Sequence, residues 1–122
     1  MKRLLIVALF AAGCGLDIDG RWAGNYTYVY PSGYAEGGTL NITAEKGDFA
    51  GNGRSSSADA GWQVVGQYDA QGKAKLVFQW PGLGPVNGEG EVDLLNKHLV
   101  GTFTMTAGTA RAGSCSIDLR RN

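Results

Sequence analysis

Residues 20–30 read GRWAGNYTYVY, and the spacing of their large side chains decides the fold. The large side chains stand at alternate positions from Trp22 onward: Trp22, Tyr26, Tyr28 and Tyr30. That two-residue period is typical of a strand with one buried face, because successive side chains of a strand point to opposite sides. A first strand with so many aromatic side chains predicts a sheet that folds over them.

Seven further segments alternate in the same way and are separated by turn signals. Together they predict strands at residues 20–30, 38–45, 48–56, 61–68, 73–80, 86–95, 98–106 and 114–120. Eight short antiparallel strands fit either a sandwich or a barrel. The barrel is favoured because the turns suit direct hairpins and closure leaves no exposed sheet edge. We therefore predict an all-β, eight-stranded, antiparallel up-and-down β-barrel over residues 20–122.

The glycine content supports a narrow barrel. The chain has 20 glycines among 122 residues, more than twice average usage. Nearly every strand places glycine on its apolar face: Gly24, Gly38, Gly51, Gly53, Gly66, Gly88, Gly90, Gly101 and Gly113. Small residues beside large ones are what a strongly coiled eight-stranded barrel needs on its inner face.

Residues 1–13 have the pattern of a secretory signal peptide. Lys2 and Arg3 give a positive start, residues 4–12 (LLIVALFAA) an apolar core, and residues 11–13 (AAG) a small-residue cleavage region. The apolar segment is too short to span a bilayer. This leader is predicted to be removed from the folded protein.

Cys14 follows those small residues, and Ala-Ala-Gly-Cys resembles the lipobox of bacterial lipoproteins. Ala11 stands where that family usually has leucine. The resemblance implies that Cys14 is lipidated and becomes the mature N-terminus, with residues 14–19 as a short linker to the membrane. Gly15, in place of an aspartate after the cysteine, implies the outer membrane of a bacterial cell envelope. The alternative is ordinary cleavage, which leaves Cys14 as a thiol.

Cys115 is the second of two cysteines. It alternates with Ile117 and Leu119, which predicts a buried side chain that behaves as a small hydrophobe. If Cys14 is not lipidated, a disulfide between Cys14 and Cys115 is the alternative.

The segment Gly20-Arg21-Trp22 is similar to the Gly-x-Trp signature of the calycin superfamily, which contains the lipocalins and the avidins. In lipocalins the tryptophan closes one end of the barrel against an arginine from the end of the chain. The resemblance implies that Gly20, Trp22 and Arg120, or its neighbour Arg121, close this barrel. Residues 64–69 and 77–80 also look like avidin strands, but the last strands lack the tryptophans of a biotin site, so no biotin residues are carried over.

Formal net charge is zero, which argues against nucleic acid as a partner. Glu89, Glu91 and Asp93 form an acidic row on strand six, which we expect to face water beside Lys75 and the threonines of strand seven. The single histidine, His98, has no serine, cysteine or aspartate placed nearby in sequence for nucleophilic catalysis. Metal-ligand spacings and cofactor motifs are absent from the sequence, so we expect neither a cofactor nor an enzyme.

The inward aromatic residues leave two hypotheses for function. A hollow barrel would bind a small apolar or aromatic ligand at its open mouth, lined by Tyr26, Tyr28, Trp62 and Trp80. A barrel filled by those side chains would act instead as an inhibitor or assembly partner of another protein. Its contact surface would then be the loops at residues 55–60 and 81–85.

Overall fold

The computed structural model describes residues 16–56, 61–80, 85–106 and 112–122. Its eight strands pair antiparallel in sequence order, and the last pairs with the first to close a barrel. The strands are β1 (Gly20–Val29), β2 (Ala35–Glu45), β3 (Asp48–Ser55), β4 (Gly61–Tyr68), β5 (Lys73–Gln79), β6 (Val86–Leu95), β7 (His98–Thr106) and β8 (Gly113–Arg121). The predicted all-β, up-and-down, eight-stranded barrel is confirmed.

Strand β1 carries the inward aromatic side chains that its sequence predicted. Trp22, Tyr26 and Tyr28 are buried, whereas Asn25 and Thr27 between them are exposed. The strand lies between β2 and β8, so its buried side chains are held from both sides. The side chains of β1 therefore alternate between the core and the surface with the expected two-residue period.

The largest difference from the predicted strands is at the start of β2. The structure begins this strand at Ala35, three positions before the expected Gly38, because Val29 pairs with Ala35 and Tyr28 with Glu36. Residues 35–38 (AEGG) carry no apolar alternation that would have marked them as a strand. Pairing with the neighbouring strand, rather than side-chain pattern, extends β2.

The two ends of the barrel differ in their connections. At one end, here the turn end, β2–β3 and β6–β7 are joined by two-residue turns with left-handed backbone at Lys46-Gly47 and Asn96-Lys97. Such turns match the twist of paired strands. The third turn is closed by the Asp69 carboxylate, which accepts hydrogen bonds from the backbone N–H groups of Gln71 (2.9 Å) and Lys73 (3.0 Å).

The opposite end, here the loop end, carries the connections β1–β2, β3–β4, β5–β6 and β7–β8. The first is closed by Gly33, whose backbone N–H donates to the Tyr30 carbonyl at 2.8 Å. The other three run through residues 57–60, 81–84 and 107–111, which lie outside the described residues. Most of the two loops proposed as contact surfaces, 55–60 and 81–85, is therefore outside them too.

Inward-facing glycines let neighbouring strands approach closely. A side chain at Gly51 would overlap the Asn41 carbonyl on β2, and one at Gly90 would overlap the Thr102 carbonyl on β7. Gly24 and Gly38 meet the backbone of their neighbouring strands in the same way. The tight coil of the barrel consequently depends on missing side chains at these positions.

Replacing Gly51 by alanine should lower the free energy of unfolding by about 1–3 kcal/mol, because the added methyl group must push β2 away. The control is Gly61→Ala, where the nearest atom to the new methyl group is the Gly53 carbonyl oxygen at 3.7 Å, an ordinary contact. This control should be neutral or stabilising by about 0.4–1 kcal/mol. Urea unfolding followed by tryptophan fluorescence measures both. Equal losses would contradict the close approach of the strands.

Candidate functional site

The four residues proposed to line a ligand site all lie in the core of the barrel. Tyr26 and Trp62 are each 2% exposed, Tyr28 is fully buried, and Trp80 is 7% exposed. The Trp62 indole N–H donates to the Tyr26 hydroxyl at 3.2 Å, and the two rings meet edge to face at 5.0 Å. Burial raises the pKa of the Tyr26 phenol, and the hydrogen bond from Trp62 partly opposes that rise.

The structure brings these four residues into one cluster. The Trp62 ring lies 5.5 Å from that of Trp80 and 4.5 Å from that of Phe78, measured between ring centroids. Tyr28 meets Trp80 edge to face at 6.5 Å. The sequence therefore predicted which side chains come together, and the structure shows that they contact one another.

The inward glycines do not leave space for a ligand. The Trp62 ring lies over Gly53, the Phe49 ring over Gly66 and the Met105 side chain against Gly88, so closely that any side chain at these glycines would overlap them. Each large residue thus occupies the space that a glycine opens. The glycines allow dense packing of the core.

A cavity of about 20 Å³ remains in the interior. It has apolar walls that include Leu40, Phe49 and Phe103. That volume is roughly what one water molecule needs, and the walls offer no hydrogen-bond partner to hold one. Pockets for small ligands are typically about 300–1,000 Å³, so the described interior is filled.

An aromatic column continues from this core to the surface of the loop end. The ring centroids of Tyr28 and Tyr30 are 4.9 Å apart. The Tyr30 ring stacks on that of Tyr34 with a centroid distance of 5.8 Å and an angle of 18° between the ring planes. Tyr34 is 57% exposed. Sequence reasoning missed Tyr34 because it lies in the β1–β2 connection, outside the predicted alternation.

The turn end is closed around Trp22. Its indole N–H donates to the Ile18 carbonyl at 2.8 Å, and the Arg121 guanidinium lies 4.4 Å from the ring centre. Arg121 also donates to the Asp19 carbonyl at 2.5 Å. The closing arginine is therefore Arg121. Of the two arginines that the resemblance implied, Arg120 does not take this place, because it is the register partner of Ala23 and its side chain lies on the outer face, whereas Arg121 is the register partner of Trp22.

Residues 16–19 are held against the turn end. Ile18 is only 1% exposed, and the Leu16 N–H donates to the Ala70 carbonyl at 2.9 Å. The Asp19 carboxylate accepts from the Lys46 N–H at 2.9 Å and from the Tyr68 hydroxyl at 3.2 Å. Most of the predicted linker at 14–19 is thus packed on the barrel, and Cys14 lies outside the described residues.

Arg121→Ala should lower the free energy of unfolding by about 1–2 kcal/mol, since it removes a cation–π contact and a hydrogen bond at the turn end. Arg120→Ala is the matched control and should change stability by less than about 0.5 kcal/mol. Urea unfolding compares the two variants. A larger loss for Arg120→Ala would contradict the assignment.

The acidic row of strand β6 faces outward, as expected. Glu89 pairs in register with Lys75 and Thr104, and Glu91 with Lys73 and Thr102. Within the described residues, no group of three or more histidine, cysteine, aspartate or glutamate side chains could hold a metal ion. These carboxylates are a solvated face of the barrel.

His98 has a partner that the sequence did not reveal. Its Nδ1 lies 2.6 Å from Oδ1 of Asp118, on the neighbouring strand β8. Both side chains are on the outer face, 31% and 62% exposed respectively. Twenty residues separate them along the chain, so only strand pairing could bring them together.

Cys115 is buried in the core, as its strand position predicted. It lies between Tyr28 on β1 and Phe103 on β7 in the strand register. Burial raises the pKa of its thiol from the ordinary 9.0 to about 12. The described structure thus confirms the predicted burial of this cysteine.

We expect stability to fall as the pH rises above about 9, because the unfolded thiol then loses a proton that the folded thiol keeps. The stabilisation that the protonated Cys115 thiol gives the folded state is fully present below pH 9.0 and is lost towards pH 12. Over that range the free energy of unfolding falls by up to about 1.4 kcal/mol per pH unit. Cys115→Ala should make the decline between about pH 9 and pH 10 shallower. Urea unfolding across this range tests it; parallel declines for both proteins would contradict it.

No protein-family model matches the chain, and neither the curated proteins nor the solved structures contain a significant match. The described residues include no helix that is long and apolar enough to cross a membrane.

Proposed function

We propose that this protein is a non-enzymatic, lipid-anchored protein of the bacterial cell envelope, most simply of the outer membrane. Its calycin-like barrel is a filled scaffold that acts by contact with another protein at its loop end. The observation that carries this proposal is the filled interior, where Tyr26, Tyr28, Trp62 and Trp80 contact one another and a cavity of about 20 Å³ remains. The small-ligand hypothesis would require these packed rings to separate.

The direction of the anchor supports the choice of the loop end. Leu16 is hydrogen-bonded to Ala70 at the turn end, and Cys14 precedes Leu16 by two positions. A lipid on Cys14 would therefore hold the turn end towards the membrane. The loop end, with Tyr34, would then face away from the bilayer and be accessible to a partner.

Among the described residues of that end, Tyr34 is the best-placed contact residue. Tyrosine is enriched in protein interfaces because its ring adds a large contact area while its hydroxyl stays hydrogen-bonded. Stacking on Tyr30, which itself contacts buried Tyr28, orients the Tyr34 ring before any partner arrives. A ring oriented in advance loses less conformational entropy on binding.

The experiment combines native mass spectrometry with photo-crosslinking in the host. We expect the gently purified protein to show the mass of the lipidated chain and no second bound molecule. A photo-reactive residue at Tyr34 should give a discrete crosslinked protein. The same residue at Thr102, on the outer face of β7, is the control and should not. Cys14→Ser should release the protein from the membrane fraction.

Each part of the proposal has an outcome that contradicts it. A small molecule that dissociates on denaturation would overturn the filled scaffold and establish a carrier. Equal crosslinking from Tyr34 and Thr102 would overturn the loop end as the contact surface. Retention of Cys14→Ser in the membrane fraction would overturn the lipid anchor.

A further inference from the structure

We propose that the outer face of strands β2–β5 is a binding site for an uncharged glycan chain. This inference is independent of the proposed function, because it concerns a different surface. It depends on a row of carboxamide side chains, here the amide row, and on the apolar strip beside it.

The amide row consists of Asn41, Asn52, Gln63 and Gln79, one from each of four adjacent strands. Asn41 is the register partner of Asn52, Asn52 of Gln63, and Gln63 of Gln79. Three strand spacings of about 4.8 Å give this row a length of roughly 14 Å. All four side chains are exposed, and the described structure gives none of them a hydrogen bond.

The chemistry of the row fits hydroxyl groups. Each carboxamide offers two N–H donors and an oxygen acceptor, and a hydroxyl group can both donate and accept. The row itself carries no charge, so it has no electrostatic reason to select an anion or a cation. A neutral polymer rich in hydroxyl groups can satisfy these donors and acceptors along the whole row.

An apolar strip runs along one side of the amide row, two positions nearer the turn end on strands β3, β4 and β5. Ala50, Val65 and Val77 are register partners on β3, β4 and β5, and Val65 is 51% exposed. Sugar rings are amphipathic, with C–H groups on their faces and hydroxyl groups at their edges. The strip and the amide row can therefore contact both parts of the same ring.

A groove of about 620 Å³ lies on the other side, where Gly61 contributes no side chain. Its walls include the amide row and Arg54. The described part of this surface fits other macromolecules less well. Nucleic acid requires several cationic side chains along a groove, whereas Arg54 is the single cationic residue among the described residues of this one. Protein interfaces centre on large apolar or aromatic anchors, whereas this surface is centred on amides.

The test uses the full chain as its host processes it, labelled with ¹⁵N, so that side-chain NH₂ signals report directly on the amide row. The probes are three neutral hexasaccharides, from cellulose, from starch and from chitin, at millimolar concentration. We expect at least one of them to shift the NH₂ signals of Asn52 and Gln63. The double variant Asn52→Ala/Gln63→Ala should then weaken binding by about tenfold or more.

A second variant blocks the groove without removing any amide. A side chain at Gly61 has room, because the nearest atom to its Cβ would be 3.7 Å away, so Gly61→Tyr should fold normally and abolish binding. The control is Thr104→Ala on the outer face of β7, which should bind as the unmodified protein does.

Three results would overturn the proposal. The first is the absence of NH₂ shifts with all three hexasaccharides. The second is a shift that depends on protein concentration alone, which would make a second copy of the chain the occupant. The third is equal or tighter binding of an anionic oligogalacturonate, which would mean that Arg54 and not the amide row selects the ligand.

Discussion

Trp62 over Gly53 and Phe49 over Gly66 show the packing on which the rest of this structure depends. A chain of this length can close eight strands only around a narrow interior, and the interior must be filled if the barrel is to be stable. Glycine meets both requirements: it lets the strands coil tightly enough to close, and it leaves room for an aromatic ring that fills the inner face. The same packing leaves a cavity of only about 20 Å³, so the surfaces open to a ligand or partner are those on the outside of the barrel.

The two ends and the outer walls of the barrel differ in the side chains they present. The turn end is closed by Trp22, Arg121 and residues 16–19, which form a compact cap of hydrogen bonds and a cation–π contact. The loop end carries the aromatic column from Tyr28 to Tyr34. The outer wall of β2–β5 presents uncharged amides, whereas the wall of β5–β6 places lysines opposite carboxylates in the strand register. A filled barrel thus offers at least two chemically different surfaces for recognition.

Periodicity alone predicted most of the fold. Alternation in β1 identified the buried aromatic residues, and the same pattern placed Cys115 in the core and the acidic row in water. These predictions succeeded because the inward or outward direction of a strand residue is a local property. The extension of β2 to Ala35 was missed because strand pairing there acts on residues without an apolar pattern.

By itself, then, the sequence determined the fold class, the order of the strands and the face on which each side chain lies. Only the tertiary structure decided that the aromatic residues fill the interior. The volume of that interior depends on how closely the strands approach one another across the barrel, which the sequence pattern does not give. It also selected Arg121 over Arg120, brought Asp118 to His98 and aligned four amides from four strands. These features join residues that are distant in sequence, and they exist only once the strands have paired in register.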